Sequence, residues 1–425
     1  MNNIYDELRW RGVWHTATEG LSELLANRKI TLYAGFDPTA PSLHVGSLIP
    51  IVTLMRFQLL GHSPIAIAGG GTGLIGDPSG KSRERQLLSH EQLEKNLQGI
   101  KEQLSHFLDF KVSGNPARLV NNADWLTTLI LTNFLREVGK HFTINNLIAK
   151  ESVKRRLENE EGLTFTEFSY GLLQAYDYLM LHDTYGCTLQ IGGSDQWGNI
   201  INGIELIRRV RGSQAHGLVL PLVTTASGVK FGKTENGTIW LDPNLTSPFR
   251  FYQFWLNTDD RDVIAYLKYF TLLSRQEIEG LELAHTQKPE KREAQYSLAQ
   301  QMTRLVHGEL ALRKAEQASA ALFGAELQNL TVSELLDIFV DVPSSRMPYV
   351  LFSGNGLSIV DLLVSTALAV SKNEARRLIE GGGIYLNNLR ITDYKLTVTR
   401  EQFIEGILLV LRKGTKEYHL VRLED

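Results

Sequence analysis

Cysteine is nearly missing: Cys187 is the only one among 425 residues. No intrachain disulfide can form, and a cysteine-based metal site lacks ligands. Long apolar runs are missing too. None reaches the roughly 18 residues that a membrane-spanning helix needs, so no membrane partner is expected. The opening stretch MNNIYDELRWRG mixes charges from the start and carries no signal-peptide core, which points to a cytoplasmic location. An excess of one charge is the third absence. Lys and Arg number 44 against 47 Asp and Glu, a formal net charge of −3. That argues against a protein that coats nucleic acid through bulk positive charge, and any such contact must come from local patches.

What remains is ordinary globular material, 43% hydrophobic and 21% charged, enough for packed cores. At about 150 residues per domain, the length allows about three folding units. Residues 30–225 alternate short apolar runs (ITLYAGF, SPIAIAGG, TLQIGG, LVLPLVTT) with helical stretches at 46–60, 84–108 and 166–182. This predicts an α/β fold with a parallel sheet covered by helices, and ligands beyond the carboxyl ends of its strands. Residues 247–323 are aromatic-rich and amphipathic and read as a helical domain. Residues 326–355 contain DVPSSRMPY and SGNG and read as a linker. Beyond Leu357, Ser371 and Glu374 fit a capping box. Gly381, Gly382 and Gly383 end that helix, and IYLNNLRI reads as a hairpin turning at Asn387 and Asn388. This is a small, separate α+β unit.

Two glycine-rich matches are decoys. GTGLIG, from Gly71 to Gly76, has the dinucleotide-binding pattern, but Asp77, Pro78 and Gly80 break the helix on which that pattern depends. GDPSGKS, from Gly76 to Ser82, resembles a P-loop one residue too short, with Ile75 where its first glycine belongs.

Four constellations carry more chemistry. His44 and Gly46 stand where a strand hands over to a helix, near the positive end of a helix dipole. Gly46 would let a flat ring or a phosphate approach the backbone; the ordinary alternative is a capping turn with a solvated histidine. VKFGKT, from Val229 to Thr234, pairs two lysines in a glycine-flanked loop. It suits a polyphosphate leaving group, or is a charged surface hairpin. In TFTEFSYGLLQAYDYLM, Thr164 and Glu167 fit a capping box. Tyr170, Gln174 and Asp177 then share one helix face over about 10 Å, among mostly apolar neighbours. Such a stripe needs partners, from a bound polar molecule or from an internal network. Finally, in LQIGGSDQWGNI, Gln190 ends a strand, and Gly192, Asp195 and Gln196 lead into a helix at the ligand edge of the sheet. Asp195 could hold sugar hydroxyls or cap the helix.

Taken together and in order, YAGFDPTAPSLHVGS, GGGTGLIGDPSGKS, TEFSYGLLQAYD, QIGGSDQWGNI and KFGKT resemble the bacterial tyrosyl-tRNA synthetases, a class I aminoacyl-tRNA synthetase family. The likeness covers nearly the whole chain. It implies a Rossmann-like parallel-sheet catalytic domain over 1–225 with a helical insertion. The lysine loop and an α-helical anticodon-binding domain would follow over 226–325, then the linker at 326–355 and a small α+β RNA-binding domain over 356–425. It implies two steps: tyrosine and ATP give tyrosyl-adenylate and pyrophosphate, and the tyrosyl group then passes to the 3′-terminal adenosine of tRNA(Tyr). Mg²⁺ would accompany the ATP phosphates, and the molecule would be a homodimer joined near 125–148.

The resemblance also implies roles. Tyr33 and Asp177 would bind the phenol, with Tyr170, Gln174 and Asp77 on the α-ammonium and Gln196 at the carboxylate end. Thr39 and His44 would meet the polyphosphate, assisted by Lys81, Arg85, Lys230 and Lys233. Gly35, Asp37, Gly46, Ser47, Gly192, Asp195 and Thr234 would complete the ATP site, and Lys372, Arg376 and Arg377 would face RNA. Ser47 stands where the family commonly has histidine or asparagine, and Ala34 where some members have cysteine. Both shorten the reach toward the ribose.

Overall fold

The computed structural model describes residues 3–79, 87–157, 162–228, 231–234, 237–322, 324–327, 330–340, 342–415 and 417–424. The chain forms two compact units, Met1–Thr246 with Leu256–Val306, and Ser247–Trp255 with His307–Asp425.

The first unit is built on a six-stranded sheet. Its strands are Thr16–Ala17 (β1), Thr31–Phe36 (β2), Ser63–Ala68 (β3), Arg118–Asn121 (β4), Cys187–Gly193 (β5) and His216–Leu220 (β6). They lie in the order β1-β6-β5-β2-β3-β4. All neighbours are parallel except β1, which runs against β6. From β2 the chain winds outward through β3 and β4, then returns to place β5 on the other side of β2. The crevice between the carboxyl ends of β2 and β5 is therefore the topological switch point, where open α/β sheets bind ligands.

The Leu48–Leu59 helix follows a 3-10 turn over Val45–Ser47 capped by His44. Pro50 falls in the first turn of that helix, where no amide hydrogen is needed. The stretch expected as helix over 84–108 is helical from His90 to Phe107, starting at Ser89, whose side chain accepts from Gln92 N; residues 84–86 lie outside the described residues. The Phe165–Tyr185 helix begins at Thr164 and ends at Gly186, whose φ of 62° suits a residue without Cβ. Thr164 caps as expected, but Glu167 does not close the box. Its carboxylate pairs with Arg156, in the Glu151–Leu157 helix, at 2.9 Å, with both side chains 2% exposed.

In the second unit, a five-stranded sheet runs in the order Leu389–Ile391, Ile384–Leu386, Leu408–Lys413, Glu417–Glu424, Ser344–Pro348. A short hairpin in the first unit supplies Lys233–Thr234 (β7) and Gly237–Thr238 (β8). The later strands are Ser344–Pro348 (β9), Leu357–Ser358 (β10), Ile384–Leu386 (β11), Leu389–Ile391 (β12), Thr397–Val398 (β13), Leu408–Lys413 (β14) and Glu417–Glu424 (β15). Asn387 and Asn388, with φ of 47° and 62°, turn the β11–β12 hairpin, as an Asn-Asn pair with two positive φ angles should. Ser371 caps the Lys372–Glu380 helix, while Glu374 reaches past it to Val370 N at 2.7 Å.

Two expectations need correction. The supposed linker at 326–355 contains a helix, Val332–Ile338, closed by a reciprocal Thr331–Glu334 box. It also contains β9, which pairs parallel with β15. Leu335, Ile338 and Phe339 share a buried cluster with Leu408, Val410 and Leu420, so this stretch is core, and its proline and serine content hid that. The helical domain is also divided. Gln253 donates to Ser319 at 2.9 Å and Phe251 packs edge-on to His307 at 4.7 Å. The 247–255 segment thus belongs with 307–322 in the second unit, while 256–306 belongs with the sheet.

Candidate active site

A cavity of ≈ 350 Å³ opens at the switch point. It is lined by Tyr33, Gly35, Asp37, Thr39, His44, Gly46, Ser47, Asp77, Tyr170, Gln174, Asp177, Gly192 and Gln196. Thirteen positions singled out from four separate motifs are thus brought to one space.

The floor comes from β2 and the Phe165–Tyr185 helix. Tyr33 is 1% exposed and lies edge-on to Tyr178 at 5.2 Å. Its hydroxyl has no hydrogen-bond partner among the described residues. Burial, and then the nearby Asp177, raise its pKa well above the usual phenol value, so it stays protonated. Asp177 accepts from Trp125 Nε1 at 2.7 Å and from Asn122 Nδ2 at 3.0 Å. Burial pushes its carboxyl up to about 7, against the pull of those two donors. Gln190 also lines the cavity, and its buried Oε1 has no partner among the described residues. Buried polar groups left unpaired in this way call for a ligand.

A second cluster stands beside the first. Tyr170 donates to Asp37 Oδ2 at 2.7 Å, and Thr72 donates to Oδ1 at 2.7 Å. Asn122 in turn donates to Thr72 Oγ1 at 2.8 Å. Gln196 donates to Asp77 Oδ2 at 2.7 Å, and Asn199 to Gln174 Oε1 at 3.1 Å. Three carboxylates, Asp37, Asp77 and Asp177, therefore face one cavity, which suits a cation. Asp37, expected on the nucleotide side, is hydrogen-bonded within this cluster in the ligand-free protein.

His44 lines the same cavity. Its Nδ1 accepts from Gly46 N at 2.9 Å, so the neutral ring carries its proton on Nε2. A Cβ on Gly46 would stand 2.6 Å from His44 Cε1. Gly46 is needed because the histidine's own ring covers it, a different reason from the one inferred from sequence. At Gly35 an added Cβ would meet nothing within 4 Å, so β2 is bare near its carboxyl end, where it lines the cavity.

Asp195 is placed differently. It lines a neighbouring cavity of ≈ 890 Å³ with Lys150, Trp197 and Leu222, and the 3-10 turn Ser194–Gln196 runs between the two spaces. Lys233 is in β7, paired with Thr238 across the hairpin, and does not line the first cavity. Lys81, Arg85 and Lys230 lie outside the described residues, as does the side chain of Thr234. In the second unit, Lys372, Arg376 and Arg377 are exposed on one helix whose buried face is Ala375 and Ile379. Lys372 pairs with Asp361 at 2.6 Å. Among the described residues, no group of three or more His, Cys, Asp or Glu could hold a metal ion, and no helix is long and apolar enough to cross a membrane.

Sequence reasoning missed Asn122, Trp125, Thr72 and Asn199 as site residues. The available signal was RLVNNADW, where an apolar run ends in two asparagines at what proves to be the carboxyl end of β4.

Comparison with known proteins agrees with this geometry. The family described as tRNA synthetases class I (W and Y) matches residues 25–324, and the Tyrosine--tRNA ligase SYY-like C-terminal domain matches 334–421. The chain is 57% identical to the tyrosine–tRNA ligase of Roseiflexus castenholzii over 423 residues, covering 100% of both chains. It is 55% identical to that of Geobacillus stearothermophilus, covering 99% of each. Among solved structures, a C-terminally truncated mitochondrial tyrosyl-tRNA synthetase from Aspergillus nidulans superposes with a TM-score of 0.70 at 30% identity, covering 76% of this chain and 95% of that one.

Proposed function

The chain belongs to the class I tRNA synthetases, in the group that serves tryptophan and tyrosine, and from that premise we propose how its residues divide the work. The activity is that of a tyrosine–tRNA ligase. L-Tyrosine is activated with ATP to tyrosyl-adenylate and pyrophosphate, and the tyrosyl group is then transferred to the 3′-terminal adenosine of tRNA(Tyr).

In our reading the substrate phenol lies between Tyr33 and Asp177, accepting from the first and donating to the second. Both groups would otherwise be buried polar atoms without a full set of partners. Tyr170, Gln174, Asp77 and Asp37 surround the α-ammonium, and Gln196 lies at the carboxylate end. Thr39 and His44 meet the triphosphate, His44 through the Nε2 proton. Gly35, Ser47 and Gly192 leave room for the nucleoside, Gly46 leaves room for the His44 ring, and Asp195 holds the ribose from the far side of the Ser194–Gln196 turn. Lys230 and Lys233, with Lys81, Arg85 and Thr234, take the charge of the departing pyrophosphate.

A tyrosine carboxylate oxygen attacks the α-phosphorus, the bond to the β-phosphate oxygen breaks, and pyrophosphate leaves. A ribose hydroxyl of the tRNA then attacks the carbonyl carbon, and AMP leaves. No side chain forms a covalent bond, so positioning and charge stabilisation carry the rate. Mg²⁺ enters on the ATP phosphates rather than in a protein cage, in keeping with how it is usually held. Lys372, Arg376 and Arg377 supply a phosphate-facing patch for tRNA. The molecule is a cytoplasmic homodimer joined through the apolar surface at 125–148. Ile130, Leu131, Leu135 and Ile144 there are 63%, 68%, 49% and 61% exposed, a run of exposed apolar side chains rather than one scattered singly.

The observation that carries this reading is the partnerless Tyr33 hydroxyl beside Asp177 in the same cavity as His44. The test is amino-acid-dependent exchange of pyrophosphate into ATP across all amino acids. Exchange with tyrosine alone is expected; exchange with another amino acid and none with tyrosine would overturn it.

A further inference from the structure

Between the two lysines of KFGKT stands Phe231, which is 5% exposed. Its ring stacks on Phe270 at 5.0 Å and 17°, and meets Tyr266 edge-on at 5.0 Å and 72°. Both partners are on the Val263–Phe270 helix. The same helix holds the start of the loop, since Asp262 Oδ2 accepts from Ala226 N at 2.8 Å.

The other end of that helix is bolted to the helix that follows His44. Arg56, on the Leu48–Leu59 helix, donates through Nη2 to the carbonyls of Lys268, Tyr269 and Thr271 at 3.0, 2.9 and 2.8 Å. Arg11 adds bonds to Lys268 and Thr271, both at 3.1 Å. Two guanidinium groups thus meet the negative end of a helix dipole, which gives the buried Arg56 charge its partner.

The loop also touches the histidine segment directly. A Cβ on Gly232, where φ is +78°, would stand 2.5 Å from Val45 Cγ2. Ile239 N bonds Gly232 O at 3.1 Å, and Val45 N bonds Ile239 O at 3.0 Å. Phe231 and Gly232 are therefore seated on the body that carries His44, and Lys233 is the next residue.

We propose that Phe231, in the socket of Tyr266 and Phe270, is a positioning residue that sets Lys233 relative to His44 for pyrophosphate departure. This rests on the reading of Lys233 given above. A rigid aromatic anchor suits the task, because it buries a large area with few rotatable bonds. A displacement of about 1 Å in a charge-stabilising group can cost on the order of 100-fold in rate.

The experiment compares full-length F231A, F231L, F270A, F231A/F270A and K233A. It measures the single-turnover rate of tyrosyl-adenylate formation and, separately, the Kd for tyrosine. F231A should slow adenylate formation on the order of 100-fold with tyrosine affinity unchanged. F231L should recover most of that loss, and F231A/F270A should be no slower than F231A. If K233A slows the step and F231A does not, this inference fails alone; if K233A has no effect, the reading of the lysine fails and takes the inference with it. Equal losses in rate and tyrosine affinity would mark general damage to the fold and also overturn it. Should F231A not fold, F270A and F270L, which loosen the socket and leave Phe231 in place, make the same comparison: slower adenylate formation at unchanged tyrosine affinity supports the proposal, and an unchanged rate overturns it.

Discussion

Asn122 and Asp177, 55 residues apart in the chain, share a buried hydrogen bond of 3.0 Å. With Trp125 at 2.7 Å on the other oxygen, it leaves the carboxylate fixed in orientation while burial raises its pKa to about 7.

Tyrosine affinity should therefore depend on pH. The ionised form accepts the substrate's phenolic proton, so Kd for tyrosine should rise as pH falls through about 7, by close to tenfold per unit at the acid end. For stability the sign is opposite. The folded-state pKa lies above the unfolded value of about 3.9, so the folded protein binds the proton more tightly. This group's contribution to stability is greatest at low pH and is lost as pH rises to about 7. Equilibrium dialysis from pH 5.5 to 8.5 (roughly one and a half units either side) tests the first part. Asp177→Asn should flatten the profile; a flat profile in the unaltered protein would refute the assignment.

Tyr33→Phe should separate function from stability. It removes a buried hydroxyl that has no hydrogen-bond partner among the described residues, so the ligand-free fold should gain roughly 1 kcal/mol in urea unfolding. Tyrosine binding should lose about 0.5–1.5 kcal/mol, and phenylalanine should compete better. Unchanged discrimination between the two amino acids would mean the hydroxyl does not read the substrate.

Gly46→Ala should disable His44 without touching the tyrosine pocket. The added Cβ would force the imidazole away, being 2.6 Å from Cε1. Adenylate formation should slow on the order of tenfold with tyrosine Kd unchanged. The double variant with His44→Ala should be no slower than His44→Ala alone, as measured by stopped-flow fluorescence.

Arg156 and Glu167, each 2% exposed, form a bidentate pair at the start of the helix that carries Tyr170 and Asp177. Arg156→Ala leaves a buried carboxylate unpaired and should cost about 3–5 kcal/mol. Replacing both, Arg156→Met with Glu167→Leu, should cost far less, because the desolvation penalty goes with the charges. Denaturant midpoints for the single and double variants decide it.

Leu131→Glu, together with Ile144→Glu (Ile144 being 61% exposed), should convert the proposed homodimer to monomer at low micromolar concentration. Sedimentation equilibrium reads this directly. A dimer that survives both changes would move the interface elsewhere.

The sequence by itself determined what acts over a few residues. Glycine and proline punctuation marked β2, β3, β5 and β6, Thr164 started the long helix, and Asn387 and Asn388 fixed a hairpin. Residue types in four motifs were enough to name thirteen residues of the cavity lining. Only the tertiary structure decided who pairs with whom. Tyr170 reaches Asp37 across 133 positions, Asn122 reaches Asp177 across 55, and Glu167 turns from its own cap to Arg156. Periodicity and turn chemistry are local, whereas these contacts depend on strand order. The return of the chain from β4 to β5 across β2 carries those side chains to one crevice, and no window of sequence contains that path.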